Sequence, residues 1–358
     1  MGPTNSQSGT PLAATKADER VAGTSLLVRV FRRPEIGALM GALVVFVLFA
    51  LVDQTPGHIF SSLTGAARWS DYASTIGIVA VPVALLMIGG EFDLSAGVMV
   101  GSSGLFGGLL ITNWGWPVWP AIGAMLVFAL VVGFLNGYLV MATGLPSFIV
   151  TLAMFFSLRG LNLGLTKLLT GTVRVSDVDK GAGFDSAHAV FSSEFWPPYD
   201  FKIAVVWWIA IAALGTWALT RTKFGNWVFA VGGDATAARN TGVPVKRTKI
   251  TLFMCTSLAA ALVGVIDLTR LNGIQAGQGV GDEFQFIIAA VVGGCLLTGG
   301  YGSAIGSSIG AAIIGMAFIG IAYAGWNTDW TWLFLGIILF LAVLVNTFIG
   351  KRARGARR

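Results

Sequence analysis

Charged residues interrupt this chain rarely, and the gaps between them outline its elements. A helix crosses a bilayer with roughly 20 mostly apolar residues, within a range of about 17–25. Ile36 to Val52 gives 17 uncharged residues, Tyr72 to Gly90 gives 19, the gap from Lys202 to Arg221 holds 18 and that from Lys249 to Asp267 holds 17. The 65 uncharged residues between Asp93 and Arg159 are too many for one span or two. Trp114-Gly-Trp-Pro-Val-Trp-Pro120 and Gly144-Leu-Pro146 are turn formers, and they cut this stretch into spans near 96–112, 119–142 and 146–166. Thr298-Gly-Gly-Tyr-Gly302 divides the 45 residues between Glu283 and Asp329, and 21 more separate Asp329 from Lys351. The pattern predicts an all-α integral membrane protein of about ten transmembrane helices. Its expected layout is a disordered tail at 1–30, a transmembrane domain at 31–350 and a basic tail at 351–358.

Composition agrees with that reading. Charged residues make up 11% and hydrophobic ones 55%, where a soluble domain carries roughly 25% charged residues. Mean hydropathy is +0.78. The net charge of +6 would suit a nucleic-acid partner if it formed a patch, but 16 of the 23 Lys and Arg fall in three places. These are the N-terminal tail, the connection 221–249 and the C-terminal tail. An even number of spans puts all three on one side, and positive residues favour the cytoplasm. Both termini and the 221–249 loop are therefore expected inside, and the acidic connection 167–201 outside. Binding of nucleic acid is not expected. The two cysteines, Cys255 and Cys295, lie in apolar stretches and offer no disulfide framework.

Little here supports an enzyme. The sequence has no GxxxxGK[ST] loop and no HExxH, and its two histidines, His58 and His188, fall in predicted outside loops. Polar residues at membrane depth are costly and become candidates for a solute path. Glu91 and Asp93 stand in Gly89-Gly-Glu-Phe-Asp-Leu-Ser95, where Gly ends one helix and Asp93 suits the cap of the next. Capping and path lining are equally consistent with Asp93. Arg159 and Asn162 sit three residues apart in the fifth span, where an interhelical ion pair is the expectation for Arg159. Asn136 belongs to the fourth span. Asp267 and Arg270, spaced for one face, border the irregular Asn272-Gly-Ile-Gln-Ala-Gly-Gln-Gly-Val-Gly-Asp-Glu283, which supplies Gln275, Gln278 and Glu283. Irregular backbone near membrane depth persists only where protein or water satisfies it, which suggests a cavity lining. Trp114, Trp116 and Trp119 read as an interfacial belt in preference to a sugar-stacking platform.

The 221–249 connection carries Gly232-Gly-Asp-Ala-Thr-Ala-Ala-Arg-Asn-Thr-Gly-Val-Pro244. Asp234 is a suitable N-cap, Ala235 to Thr241 makes about two turns, Gly242 fits a left-handed stop and Pro244 prevents continuation. So short a helix is unstable alone, so something must dock on it. Ala238 is expected on the docking face.

In order along the chain, Gly90-Glu-Phe-Asp-Leu-Ser-Ala-Gly97, Asn136-Gly137, Pro146-Ser-Phe-Ile-Val-Thr-Leu152 with Arg159-Gly160, the Gly232–Pro244 segment, Ala276-Gly-Gln-Gly, Gly293-Gly and Gly299-Gly resemble the ribose-type permease family. These are the membrane subunits of bacterial ABC importers for sugars and related small polar molecules. The resemblance, which spans about Tyr72 to Leu344, implies a type II ABC importer-like fold in the bacterial inner membrane and a monosaccharide or polyol as solute. It implies a second permease copy in a homodimer, cytoplasmic ATPase subunits that use ATP and Mg, and an extracytoplasmic solute-binding protein. No cofactor is expected on this chain. The family's coupling helix maps onto Gly232, Gly233, Asp234, Ala237, Ala238, Arg239, Gly242 and Pro244. Two departures stand out. Glu91-Phe92 occupies the place of a single apolar residue in Gly-Gly-Ile-Asp-Leu-Ser, and Gln285 stands where an aspartate is usual. The competing readings are an ion-coupled secondary transporter using Glu91, Asp93 or Asp267, and a passive channel.

Overall fold

The computed structural model describes residues 34–355; the predicted tail at 1–30 and residues 356–358 lie outside them. Thirteen α-helices occur among the described residues. The first is α1 (Pro34–Val52), followed by α2 (Leu63–Ile88), α3 (Ala96–Thr112), α4 (Val118–Thr143) and α5 (Ser147–Thr170). Between α1 and α2 the Asp53 carboxylate accepts from the N–H of Thr55 at 2.9 Å, the Thr55 hydroxyl at 2.7 Å and the N–H of Phe60 at 2.8 Å. Burial by itself would raise the Asp53 pKa, yet these hydrogen bonds outweigh it and hold the group below its ordinary value.

The predicted acidic connection is folded. It holds β1 (Arg174–Ser176), α6 (Phe184–Phe191) and a hairpin of β2 (Glu194–Phe195) with β3 (Phe201–Lys202). Then α7 (Ala204–Arg221) leads to α8 (Lys223–Gly233) and α9 (Ala235–Asn240), so the connection and these two helices lie at opposite ends of α7. The chain continues as α10 (Val245–Arg270), β4 (Gly273–Gln275), α11 (Asp282–Val292), α12 (Ala304–Tyr323) and α13 (Trp330–Gly355). Strand β4 pairs antiparallel with β1, placing Arg174 opposite Gln275.

Among the described residues seven helices are long and apolar enough to cross a membrane: α1, α2, α4, α5, α7, α10 and α12; α3 and the apolar part of α13 are shorter. Each of the ten predicted stretches contains a helix, but three differ from the expectation. Helices α2 and α10 run to 26 residues each. They extend past the charges that bounded the predicted spans because Asp71 and Arg270 pair with each other at 2.8 Å. The stretch after Glu283 yields only the 11-residue α11, about 16 Å long at 1.5 Å per residue and too short to cross. It stops at Gly293-Gly294, where Gly294 has φ +95°. Helix α2 stops in the same way at Gly89-Gly90, with Gly90 at φ +84°. At both ends the next residue's N–H, of Glu91 or Cys295, reaches back five residues to a carbonyl, the hydrogen-bond pattern of a left-handed helix stop.

Helix α3 lies at the centre, almost wholly buried. Gly97, Gly101, Gly104 and Gly108 recur at helical spacing, so one side of α3 presents no side chains. Gly101 faces the carbonyl of Gln278, and Gly104 faces Ile274. The irregular segment 274–283 thus runs antiparallel along α3 with its backbone pressed onto the glycine face, the close approach that glycine permits inside a membrane.

Candidate translocation path and coupling segment

Two polar groupings meet at the start of α3. The first is the break between α2 and α3. Asp93 is 1% exposed, and its Oδ1 accepts from the Ser95 N–H at 2.8 Å and the Ser95 hydroxyl at 2.6 Å. Asn136 on α4 donates to the Ser95 hydroxyl at 2.8 Å. Two N–H groups of the break turn to α5, where that of Phe92 bonds Ser147 at 3.0 Å and that of Leu94 bonds Thr151 at 3.1 Å. Ser147 and Thr151 are four residues apart and share a helix face. The Asp93 contacts close a turn at Ser95 just before α3, whose own first N–H groups receive no side-chain cap, and the second Asp93 oxygen is buried without a partner. Glu91 is buried and forms an ion pair with Lys249, at the base of α10. Neither Ser147, Thr151 nor Lys249 stood out in the sequence, although the first two lie in the quoted Pro146–Leu152 motif with the spacing of one face.

The second grouping surrounds the start of α11. Glu283 turns back to accept from the N–H of Gly281 at 3.0 Å, and its carboxylate lies against Gly97. Gln278 donates to Asp267 at 3.0 Å. Gln285 donates to Asp282 at 3.1 Å and accepts from the Tyr72 hydroxyl at 3.1 Å. Beside them the Asp71–Arg270 pair joins α2 to α10. Asp267 and Arg270, spaced for one face, therefore bond to different neighbours. Four carboxylates, one guanidinium, a phenol and two amides gather here around a half-length helix whose N-terminus points inward. Such a helix end carries partial positive charge, and Asp282 and Glu283 occupy its first turn.

Three sequence candidates stand apart. Arg159 is exposed on α5, and among the described residues it makes none of the ion pairs found within 4.0 Å. The expected interhelical pair is absent because the helix turns Arg159 away from the packed face formed by Phe155, Leu158 and Asn162. Asn162 is buried on that face with its Nδ2 unpartnered. Gln275 is exposed on β4, in the ribbon with β1.

At the far end of α7, α9 forms as its caps dictate. Asp234 accepts from the N–H groups of Thr236 at 2.8 Å and Ala237 at 2.9 Å, and Gly242 takes φ +86°. Ala238, expected on the docking face, is 4% exposed instead and packs with Val231, Val245 and Met141. The face left open carries Thr236, Ala237, Arg239 and Asn240. Gly232 is also turned inward, against the carbonyl of Ile88. Trp119 donates to Ser186 at 2.9 Å, while Trp114 and Trp116 stay exposed at the same end as α6.

Residues 65–343 match the family described as branched-chain amino acid transport system / permease component. Over 326 residues the chain is 33% identical to the probable ABC transporter permease protein YphD of Escherichia coli, covering 90% of this chain and 92% of that one. It is 29% identical over 359 residues to the xylose transport system permease protein XylH of Haemophilus influenzae, covering 86% and 95%. Identity to the fructose import permease protein FrcC of Rhizobium meliloti is 30% over 307 residues, covering 83% and 81%. No solved structure matches the chain.

Proposed function

The chain belongs to this family of ABC transporter permease components, and on that premise we propose that it imports a monosaccharide or related polyol. It is a multi-pass membrane protein and a transporter subunit, with no enzymatic role of its own. The relatives that name a solute name a sugar, which supports the substrate class. In this reading a separate ATPase hydrolyses Mg-ATP in the cytoplasm, an extracytoplasmic protein delivers the solute, and a second copy completes the passage. The termini and α9 face the cytoplasm, and α6 faces outside.

The observation that carries the coupling role is α9. It is a six-residue helix, too short to persist alone, yet capped at both ends, packed on one side through Ala238 and open on the other. The open face, with Arg239, is the ATPase contact. The solute route runs beside the start of α11, where Gln278, Glu283, Gln285 and Tyr72 can replace part of a sugar's hydration. Against an ion-coupled mechanism, Glu91 is paired with Lys249 and Asp267 accepts from Gln278, and the relatives are ABC transporter permeases.

Uptake of radiolabelled D-xylose and D-fructose into vesicles holding the complete transporter tests the reading. Uptake of one of them should stop when the ATPase is inactivated and continue in the presence of a protonophore. Uptake that survives ATPase inactivation and collapses with the protonophore would return the ion-coupled mechanism.

A further inference from the structure

The coupling segment touches the break between α2 and α3 at two separate points. Ile88 is the last residue of α2, and its carbonyl accepts from the N–H of Gly300 at 2.8 Å. A Cβ at Gly232, which precedes α9, would lie 1.7 Å from that oxygen and 2.7 Å from the Gly300 nitrogen. A Cβ at Gly299 would lie 2.8 Å from the Gly232 oxygen and 2.9 Å from the Gly90 Cα. The end of α2, the end of α8 and the loop before α12 therefore meet backbone to backbone. No flexible side chain lies between them to absorb a displacement. The second point follows α9. Lys249 reaches from α10 to Glu91, one residue beyond Gly90, and the two side chains are only 13% and 11% exposed. A desolvated ion pair of this kind is costly to leave half-made, so its two ends are held in register.

We propose that Glu91 and Lys249 are a positioning pair that, together with the Gly232 contact, transmits movement of α9 to the break and so to the cytoplasmic gate of the path. The proposal rests on the coupling role assigned to α9 above. Leaving the membrane core at Gly232 and returning at Lys249, the coupling segment is tied to 88–91 at both ends. The far side of the break is tied to α5 through Phe92 and Leu94, and Asp93 closes the turn just before α3. Displacing α9 therefore moves the origin of α3 relative to α5. Glu91 is one of the departures from the family pattern, and the structure gives it a partner in the coupling segment.

The test uses the complete transporter in proteoliposomes, with Cys255 and Cys295 replaced by alanine and a single cysteine installed as Phe92→Cys. N-ethylmaleimide labelling is timed with and without Mg-ATP and orthovanadate. In the parent background nucleotide should change the labelling rate by about fivefold or more, within the usual span of coupling between sites. Glu91→Gln and Lys249→Met should each remove that change, and Glu91→Lys combined with Lys249→Glu should restore it. Gly232→Ala should abolish the response, whereas Gly123→Ala on α4, whose Cβ meets nothing within 4 Å, should keep it. Co-purification of the ATPase separates the two levels of argument. Loss of the ATPase from the parent overturns the coupling role of α9. Retained ATPase with a full response in both single variants, or with no recovery in the exchanged pair, overturns the positioning pair alone.

Discussion

A methyl group on Gly97 would stand 2.1 Å from the Glu283 carboxylate and 2.5 Å from the carbonyl of Gly279. Both neighbours belong to the segment pressed on α3, so Gly97→Ala must lift that segment or bend the helix. A loss of about 1–3 kcal/mol is expected, the usual cost of overpacking, read as a lower midpoint of thermal unfolding in detergent. Gly160→Ala is the contrasting case, because nothing lies within 4 Å of its Cβ; alanine also favours the helix by up to about 1 kcal/mol. Equal losses in the two variants would remove the glycine face as the seat of the segment. The sequence displayed both glycines equally. What distinguishes them is a neighbour 186 positions away in the chain, which no local pattern contains.

Helix α9 was legible residue by residue because capping is a short-range effect. Asp234 bonds amides two and three residues on, and Gly242 stops the helix in its own backbone conformation. Its orientation was not legible, since six residues are too few for a periodic pattern to show which side is buried. Asp234→Ala should cost about 1 kcal/mol of local stability, seen as faster hydrogen exchange at the Thr236 and Ala237 amides while the membrane helices stay protected. Ala238→Asp should lower the stability of the whole chain, because it places a charge among Val231, Val245 and Met141. Arg239→Glu, on the open face, should leave stability unchanged and weaken retention of the ATPase. Reversal of the last two effects would place the docking surface on the other side of α9. The half-length α11 was misjudged for a related reason. A gap between charges measures apolar length, and it does not register a glycine stop inside the gap.

For the whole molecule, orientation is the property on which the path depends. Asp185→Cys on α6 should react with an impermeant thiol reagent applied outside the cell, and Thr236→Cys should be protected until the membrane is opened; the opposite pattern would invert the direction of transport assigned here. The all-helical membrane class and the capped helix were determined by the sequence alone, because hydropathy and capping act between a residue and its surroundings or its near neighbours in the chain. The tertiary structure decided which polar residues meet. It matched Glu91 with Lys249 across 158 positions and Asp71 with Arg270 across 199. It also left Arg159 outside the ion pairs formed within 4.0 Å among the described residues and laid an irregular segment along α3. In an apolar medium a polar group is stable only beside another, and which partner it finds depends on how the helices pack, a property of the folded chain that spacing along the sequence does not encode.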